Sequence, residues 1–266
     1  MKNACAYDSE QTMAGLIHHI CVIPFSVAHH RRTRARVMTH GRPLVVEIKE
    51  VTAFYSDNES VLRKTELTKS QDVEYVVLPW RRAIPRILKF VVDNGGTLFA
   101  HAWHRDLEFL HRTQEWMGGK SNRIFHKSLL QWPETGCYDK NWESISRVCS
   151  LHFLMNRCPK FMKSYTEWYS TLDEAKFKVH MDLQHLAQFV YRQHDYQESH
   201  TAIHDCRDLV AVLLEAYNSD TYKLDGHSYM ISEKSMEPLL LCTQVKRDAA
   251  LNYPRLQSQT CPPPQH

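Results

Sequence analysis

The fold is decided by one stretch of the chain, GGTLFAHAWHRDLEFL, which covers residues 95–110. Its apolar run from Thr97 to His101 is short and follows two glycines, as expected of a buried strand. A helix is predicted to begin near His104, with Leu107 and Leu110 on its inner face because they lie three residues apart. The stretch therefore predicts a strand that leads through a turn into a helix.

The residues just before this stretch predict another strand and helix. Val73 to Leu78 is a short strand closed by a proline, and the segment from Trp80 to Asp93 has the period of a helix with one buried face. The apolar residues that set this period are Ile84, Ile87, Leu88 and Val91. Gly95 and Gly96 end the helix. Strand, helix, strand and helix in succession indicate an α/β fold with helices layered on a sheet.

Further strands are predicted towards the N-terminus. Runs rich in Val, Ile, Phe and Tyr lie at Asn3 to Tyr7, Ile17 to Val27 and Leu44 to Tyr55. The last two are separated by residues 29–36, which are rich in arginine and histidine and are expected to form a basic loop. This loop belongs to an insertion at about 28–42.

Two helices are predicted towards the other end, at 183–190 and 209–217, where apolar residues recur at helical spacing. The segment at 118–164 is aromatic and is expected to be irregular. Residues 1–220 are predicted to form one domain. Residues 221–266 are expected to be a C-terminal extension with a proline-rich tail.

Composition sets few limits on function. Of the 266 residues 43% are hydrophobic, which is enough for a substantial core, and the net charge of +3 is compatible with a polyanionic partner without requiring one. No apolar run is long enough to span a membrane. The eight cysteines are scattered and no secretion signal is recognisable, so an intracellular protein of the cytoplasm or nucleus is expected.

Three segments carry acidic residues in an order that suggests a metal site. Asp8 and Glu10 end the first predicted strand and share a face because they are two residues apart. Asp106 falls in the first turn of the helix after the buried strand. His200 and Asp205 open the last predicted helix. Each segment alone has an ordinary explanation, as a solvated pair or as a residue that favours a helix terminus.

Taken together, the three segments resemble the exonuclease motifs of the DEDD superfamily of 3′–5′ exonucleases, histidine subtype. The similar patterns are Asp-x-Glu-x-Thr at 8–12, Ala-His-x-x-x-x-Asp-Leu-x-Phe-Leu at 100–110 and His-x-x-x-x-Asp at 200–205. The resemblance covers roughly residues 1–220. The chain departs from the family at Ala102 and Arg105, where Asn and Phe are usual. The resemblance implies a ribonuclease H-like α/β fold, with a mixed central sheet flanked by helices.

The resemblance also implies a chemistry and a set of roles. Two Mg²⁺ or Mn²⁺ ions, which prefer oxygen ligands, would be held by the acids. Asp8 would bridge both ions, Glu10 and Asp205 would complete the site of the ion that activates water, and Asp106 would serve the second ion. His200 would be the general base. The implied reaction removes 5′-mononucleotides from a 3′ end of DNA or RNA.

Several residues near these motifs are candidates for binding nucleic acid. Thr12 and His101 belong to the first two motifs, and Trp103 is placed either to stack on a terminal base or to pack in the core. Arg31 and Arg32, in the basic loop, are suited to phosphates because guanidinium groups bind them in a bidentate manner. A solvated loop or a nuclear-import signal explains the arginines equally well.

Two alternatives from other classes remain open. In the first, Ile20 to Val27 is the first strand of the nuclease-like sheet, acids are missing from it, and the domain is a catalytically inactive module that binds nucleic acid or protein. In the second, Cys149, His152 and Cys158 bind zinc in an RNA-binding protein, although buried thiols and a packed histidine are the simpler explanation. The sequence decides neither DNA against RNA nor the oligomeric state.

Overall fold

A computed structural model describes residues 3–29, 36–69, 71–117, 145–172, 179–197 and 200–220. Its strands are β1 (Asn3–Gln11), β2 (Ile17–His29), β3 (Arg36–His40), β4 (Leu44–Ile48), β5 (Glu74–Leu78), β6 (Thr97–Ala100) and β7 (Ser146–Cys149). Its helices are α1 (Lys49–Phe54), α2 (Glu59–Lys69), α3 (Trp80–Asp93), α4 (Trp103–Trp116), α5 (Ser150–Arg157), α6 (Pro159–Tyr169), α7 (Leu183–Tyr191) and α8 (Ala202–Asp220). The predicted extension at 221–266 lies outside these ranges.

The strands form one mixed sheet in the order β5-β4-β2-β1-β6-β7, with β3 paired to β2. β2 runs antiparallel to β1, β3 and β4, whereas β6 pairs in parallel with β1 on one side and β7 on the other, and β4 pairs in parallel with β5. This architecture confirms the predicted α/β class, a mixed sheet flanked by helices, and is compatible with a ribonuclease H-like fold. The strand beside β6 is β1, which carries Asp8 and Glu10, whereas Ile20 to Val27 lie in β2. The strand placement that would leave the first strand without acids is therefore wrong.

Helices cover both faces of the sheet because its strands alternate apolar residues between them. On one face Ala4, Ala6 and Ile23 pack against α5 to α8. On the other face Cys5 and Tyr7 pack against α3 and α4. Successive residues of β1 therefore belong to different cores. The same alternation puts Asp8 and Glu10 on one face of the strand and Ser9 on the other.

The turn between α3 and β6 depends on glycine. Gly95 has a φ of 108°, in the left-handed region that favours glycine. A β-carbon at this position would lie 2.3 Å from the Asn3 backbone oxygen. The missing side chain lets the chain pass close to the start of β1 and enter β6 alongside it.

The sequence predictions need correction in three places. Leu44 to Tyr55 is not one strand, because the backbone turns helical after Ile48 and Val51 is then buried at helical spacing from it. Both ends of the predicted basic loop are strand residues, since β2 extends to His29 and β3 begins at Arg36, and 30–35 lie outside the described residues. The end of the segment predicted to be irregular, 145–164, forms β7, α5 and most of α6, and 118–144 lie outside the described residues.

The aromatic residue Phe161, inside that segment, and two tyrosines just beyond it are core residues of a helix. Phe161, Tyr165 and Tyr169 follow one another at four-residue spacing along α6 and are at most 1% exposed. Helix α2 was not predicted. None of the helices within the described ranges has the length and apolar character needed to cross a membrane.

Candidate metal centre

Strand β1 carries two carboxylates to one point near its end. Asp8 and Glu10 are two residues apart, so their side chains leave the same face of the strand. Ala4 and Ala6 precede them on this face and are buried under the helices that include α8. The apolar half of β1 thus anchors the strand in the core and places its acidic half at the edge of that core.

Helix α8 brings a third carboxylate to the same place. Asp205 lies in its first turn, and the neighbouring Cys206 is buried with its thiol donating to the Cys21 backbone oxygen at 3.5 Å. Cys21 is the cross-strand partner of Asp8. This contact fixes the start of α8 beside β1, and one carboxylate oxygen each of Asp8, Glu10 and Asp205 lies within 4.8 Å of the other two. We call these three residues the acid cluster.

The fourth predicted acid, Asp106, reaches β1 from its other face. It is 5% exposed in the first turn of α4, and its Oδ1 accepts a hydrogen bond of 2.8 Å from the Ser9 hydroxyl. Ser9 points away from Asp8 and Glu10 because it lies between them in the strand. The Asp106 charge nevertheless contributes to raising the pKa of Asp8. Asp106 therefore stands next to the acid cluster without belonging to it.

Burial and mutual repulsion disfavour the ionised form of these carboxylates. Burial, followed by the charges of Asp205 and Asp106, raises the pKa of Asp8 well above its usual value. Burial raises the pKa of Glu10 to about 7 and that of Asp106 to about 7, although hydrogen bonds oppose both shifts. A bound cation relieves this repulsion. The donor set of carboxylate oxygens fits Mg²⁺ or Mn²⁺.

Glu10 has a cationic partner that the sequence analysis did not identify. The Lys64 ammonium, on α2, donates a hydrogen bond to the Glu10 carboxylate. The two side chains are only 21% and 8% exposed. Because α2 was not predicted and Lys64 lies far from the motifs in sequence, only the fold reveals this contact.

Two buried histidines lie beside Glu10 in the adjacent strand, and these too were missed. Glu10 pairs with His19 and Gln11 pairs with Ile17, so His18 is an extra residue that forms a β-bulge in β2. His18 is 0% and His19 1% exposed. Bulges of this kind redirect side chains and are common next to functional sites.

A chain of hydrogen bonds fixes the protons of this histidine pair. The Glu47 carboxylate accepts from the Tyr75 hydroxyl, so the Tyr75 oxygen must accept from Nε2 of His19, 3.1 Å away. His18 Nδ1 then donates to His19 Nδ1 at 2.8 Å. Burial lowers the pKa of His18 to about 2 and that of His19 to about 4, so both rings are neutral. The chain joins β2, β4 and β5 next to Glu10.

His200, predicted to be the general base, is exposed and directly precedes the Thr201 that leads into α8. Its φ of 50° is in the left-handed region, which turns the backbone sharply before the helix. Its ring is thus on the surface at the end of the helix that carries Asp205. A base that takes a proton from water needs such access.

Two of the residues expected to bind nucleic acid make hydrogen bonds within the protein. Nε2 of His101 donates to the Met181 carbonyl oxygen at 2.7 Å, which leaves Nδ1 to accept from the Ser150 hydroxyl at 3.0 Å. The Thr12 hydroxyl accepts from the Leu16 backbone N–H at 3.2 Å. Both side chains hold neighbouring segments of the site in place.

Trp103 is 2% exposed and packs edge-on against Tyr7, with ring centroids 5.1 Å apart. This position agrees with the core-packing alternative and leaves little of the ring for a base. Arg31 and Arg32 lie outside the described residues.

The cysteines and histidine of the zinc alternative do not gather into a site. Cys149 and Cys158 are buried and flank α5 at its two ends, and His152 is half-buried within the helix. Within the part of the chain that the structure describes, the acid cluster is the group of three or more His, Cys, Asp or Glu side chains whose ligand atoms come together.

No protein-family model matches the chain, and no curated protein sequence matches it.

Proposed function

We propose that the chain is a 3′–5′ exonuclease that uses Mg²⁺ or Mn²⁺ to release 5′-mononucleotides from DNA or RNA. The observation that carries the proposal is the convergence of Asp8, Glu10 and Asp205 within 4.8 Å, with Asp106 buried beside them. These residues come from three distant parts of the chain and are the acids on which the resemblance rests. Acids that serve only solubility are rarely buried together, because ionised carboxylates lose hydration there.

The four acids would divide the metal ligands between the two faces of β1. Asp8, Glu10 and Asp205 would hold one divalent cation, and Asp106, which reaches β1 from its other face, would serve a second. Bound cations of this kind polarise an attacking water and neutralise the leaving oxygen. Lining the site from β1, α4 and α8 keeps the ligands on rigid elements, which favours a constant geometry.

His200 would take the proton from the attacking water. The water oxygen would bond to the phosphorus of the terminal phosphodiester, the bond from phosphorus to the 3′ oxygen would break, and that oxygen would take a proton from solvent. The exposed position of His200 allows it to exchange the proton with solvent after each cycle. The products are a 5′-mononucleotide and a chain shortened by one residue.

Digestion of end-labelled oligonucleotides tests the proposal. Single- and double-stranded DNA and RNA are incubated with the full chain, with Mn²⁺ and with a chelator. We expect stepwise shortening from the 3′ end with Mn²⁺, and a loss of at least about 100-fold in rate for Asp8→Asn and Asp205→Asn. Asp195→Asn, an exposed acid in the turn before α8, should retain the rate.

The same assay separates the roles of base and ligand. His200→Ala should lower the rate by about 100-fold while Mn²⁺ binding, measured by calorimetry, stays near the wild-type value. Wild-type protein that binds Mn²⁺ but digests none of the substrates would overturn the enzymatic proposal and favour the inactive module.

A further inference from the structure

We propose that Lys64 is a phosphate-contacting residue of this site, held by Glu10 until a divalent cation takes that carboxylate. The inference rests on the proposed function and extends it by a residue that belongs to none of the three motifs. It assigns Lys64 two successive partners. The first is the carboxylate that it contacts in the structure, and the second is an anionic phosphate of the substrate.

The position of Lys64 differs from that of an ordinary surface lysine. Its ammonium contacts a carboxylate that is 8% exposed and is itself part of the acid cluster. Lys69 on the same helix gives the contrast, because it is 53% exposed and lies 3.7 Å from Glu47, away from the acid cluster. The backbone around Lys64 is fixed, since its carbonyl oxygen accepts from the Thr68 hydroxyl and Val61 anchors the helix in the core.

Charge explains the first partner. Four buried or half-buried carboxylates near one another need compensating positive charge, and Lys64 supplies part of it. Its charge and hydrogen bond lower the pKa of Glu10 against the larger effect of burial. A divalent cation on the Glu10 carboxylate would repel the ammonium, so the two compete for this residue.

Charge also explains the second partner. Two divalent cations balance four carboxylates, which leaves the ammonium to match the single negative charge of a phosphodiester. Lysine suits this exchange because its ammonium sits on a flexible stem and presents three donors in any direction. The α2 helix keeps that stem at the edge of the site, so a displaced ammonium meets an arriving phosphate without any movement of the backbone.

Two calorimetric titrations of the full chain test the inference. Wild type and Lys64→Met are titrated with MnCl₂, and then with thymidine 5′-monophosphate at saturating Mn²⁺. We expect Lys64→Met to bind Mn²⁺ about tenfold more tightly, because a competitor is gone. We expect it to bind the nucleotide about tenfold more weakly, because a phosphate partner is gone. Lys69→Met should change neither affinity.

Changes of opposite sign in the two affinities distinguish this role, because removing a merely structural lysine would weaken the binding of both ligands. Parallel weakening, or no change in either affinity, overturns the inference. Lys64→Arg keeps the positive charge and should bind Mn²⁺ like wild type; if it binds as tightly as Lys64→Met, the inference is also overturned. Should Lys64→Met fail to fold, Lys64→Gln replaces it. Neither titration requires cleavage, so a protein that shows both shifts yet digests nothing would refute only the exonuclease.

Discussion

At the scale of single residues, the hydroxyl of Ser9 holds the acid that stands apart from the cluster. Its hydrogen bond to Asp106 crosses 97 positions of sequence and joins β1 to α4. Burial raises the pKa of Asp106 to about 7, and the hydrogen bond from Ser9 opposes that rise by stabilising the ionised form. The interaction should therefore be stronger when Asp106 is charged.

Replacing Ser9 by alanine measures this interaction. At pH 8, where Asp106 is ionised, we expect Ser9→Ala to lower the free energy of unfolding by about 2 kcal/mol, since hydrogen bonds to charged groups contribute that much. At pH 5 the loss should be smaller because the carboxyl is protonated. Urea denaturation at the two pH values gives both numbers, and Ser56→Ala, at an exposed position, is the control. Equal losses at both pH values would contradict the account.

Some residues of the candidate site could be identified from the sequence, and others could not. Asp8, Glu10 and Asp205 were singled out because their segments, taken together, resemble the motifs of one family, although each segment alone has an ordinary explanation. Lys64 and His18 were not found, because nothing local distinguishes them. Lys64 contacts Glu10 because the fold brings α2 to the end of β1. His18 lies beside Glu10 because of a β-bulge, which arises only when β2 pairs with β1.

At the scale of elements, the entry of the chain into β6 depends on Gly95. Its φ of 108° and the closeness of the Asn3 oxygen both exclude a side chain. We expect Gly95→Ala to lower the free energy of unfolding by about 3 kcal/mol, because the backbone of β1 cannot move aside. Thermal or urea denaturation measures the loss.

Gly96→Ala provides the comparison for this prediction. Gly96 also has a positive φ, 68°, and alanine adopts that region at a cost of about 1–2 kcal/mol. A Gly95→Ala protein as stable as wild type would show that the approach to Asn3 is not close.

Helices and strands were predicted correctly where the spacing of apolar residues was unambiguous. They were predicted wrongly where β-branched residues suggested a strand but the backbone is helical. The strand at Thr97–Ala100 and the helices on either side of it follow directly from the apolar pattern and the two glycines. At Leu44–Ile48 the β-branched residues continue into Val51 and Thr52 although the backbone has become helical. Local propensity cannot locate such a change, which tertiary packing decides.

At the scale of the whole molecule, two sets of buried groups respond to pH in opposite directions. Glu10 and Asp106 have a pKa of about 7, above the usual values of 4.5 and 3.8, so the folded metal-free protein holds protons that the unfolded chain has released. Its stability therefore falls as pH rises through this range. The lowered pKa values of His18 and His19 have the reverse effect, and that stability is lost as pH falls below 6.5.

A divalent cation separates these two effects because it replaces protons on the acids and leaves the histidines unchanged. At about 100 times its Kd, Mn²⁺ should raise the free energy of unfolding by about 3 kcal/mol at pH 8. At pH 5 the increase should be much smaller, since the ligands must lose protons first. Thermal denaturation with and without Mn²⁺ measures both. Similar stabilisation at the two pH values, or in Asp8→Asn, would contradict the assignment of the site.

The proposed function depends on a divalent cation binding where β1 and α8 meet, and anomalous diffraction from crystals grown with Mn²⁺ would detect that binding. We expect an anomalous peak within about 2.5 Å of carboxylate oxygens from Asp8, Glu10 and Asp205, and the loss of that peak in crystals of Asp205→Asn. The absence of a peak at these oxygens under saturating Mn²⁺, or a peak that survives the substitution unchanged, would contradict it.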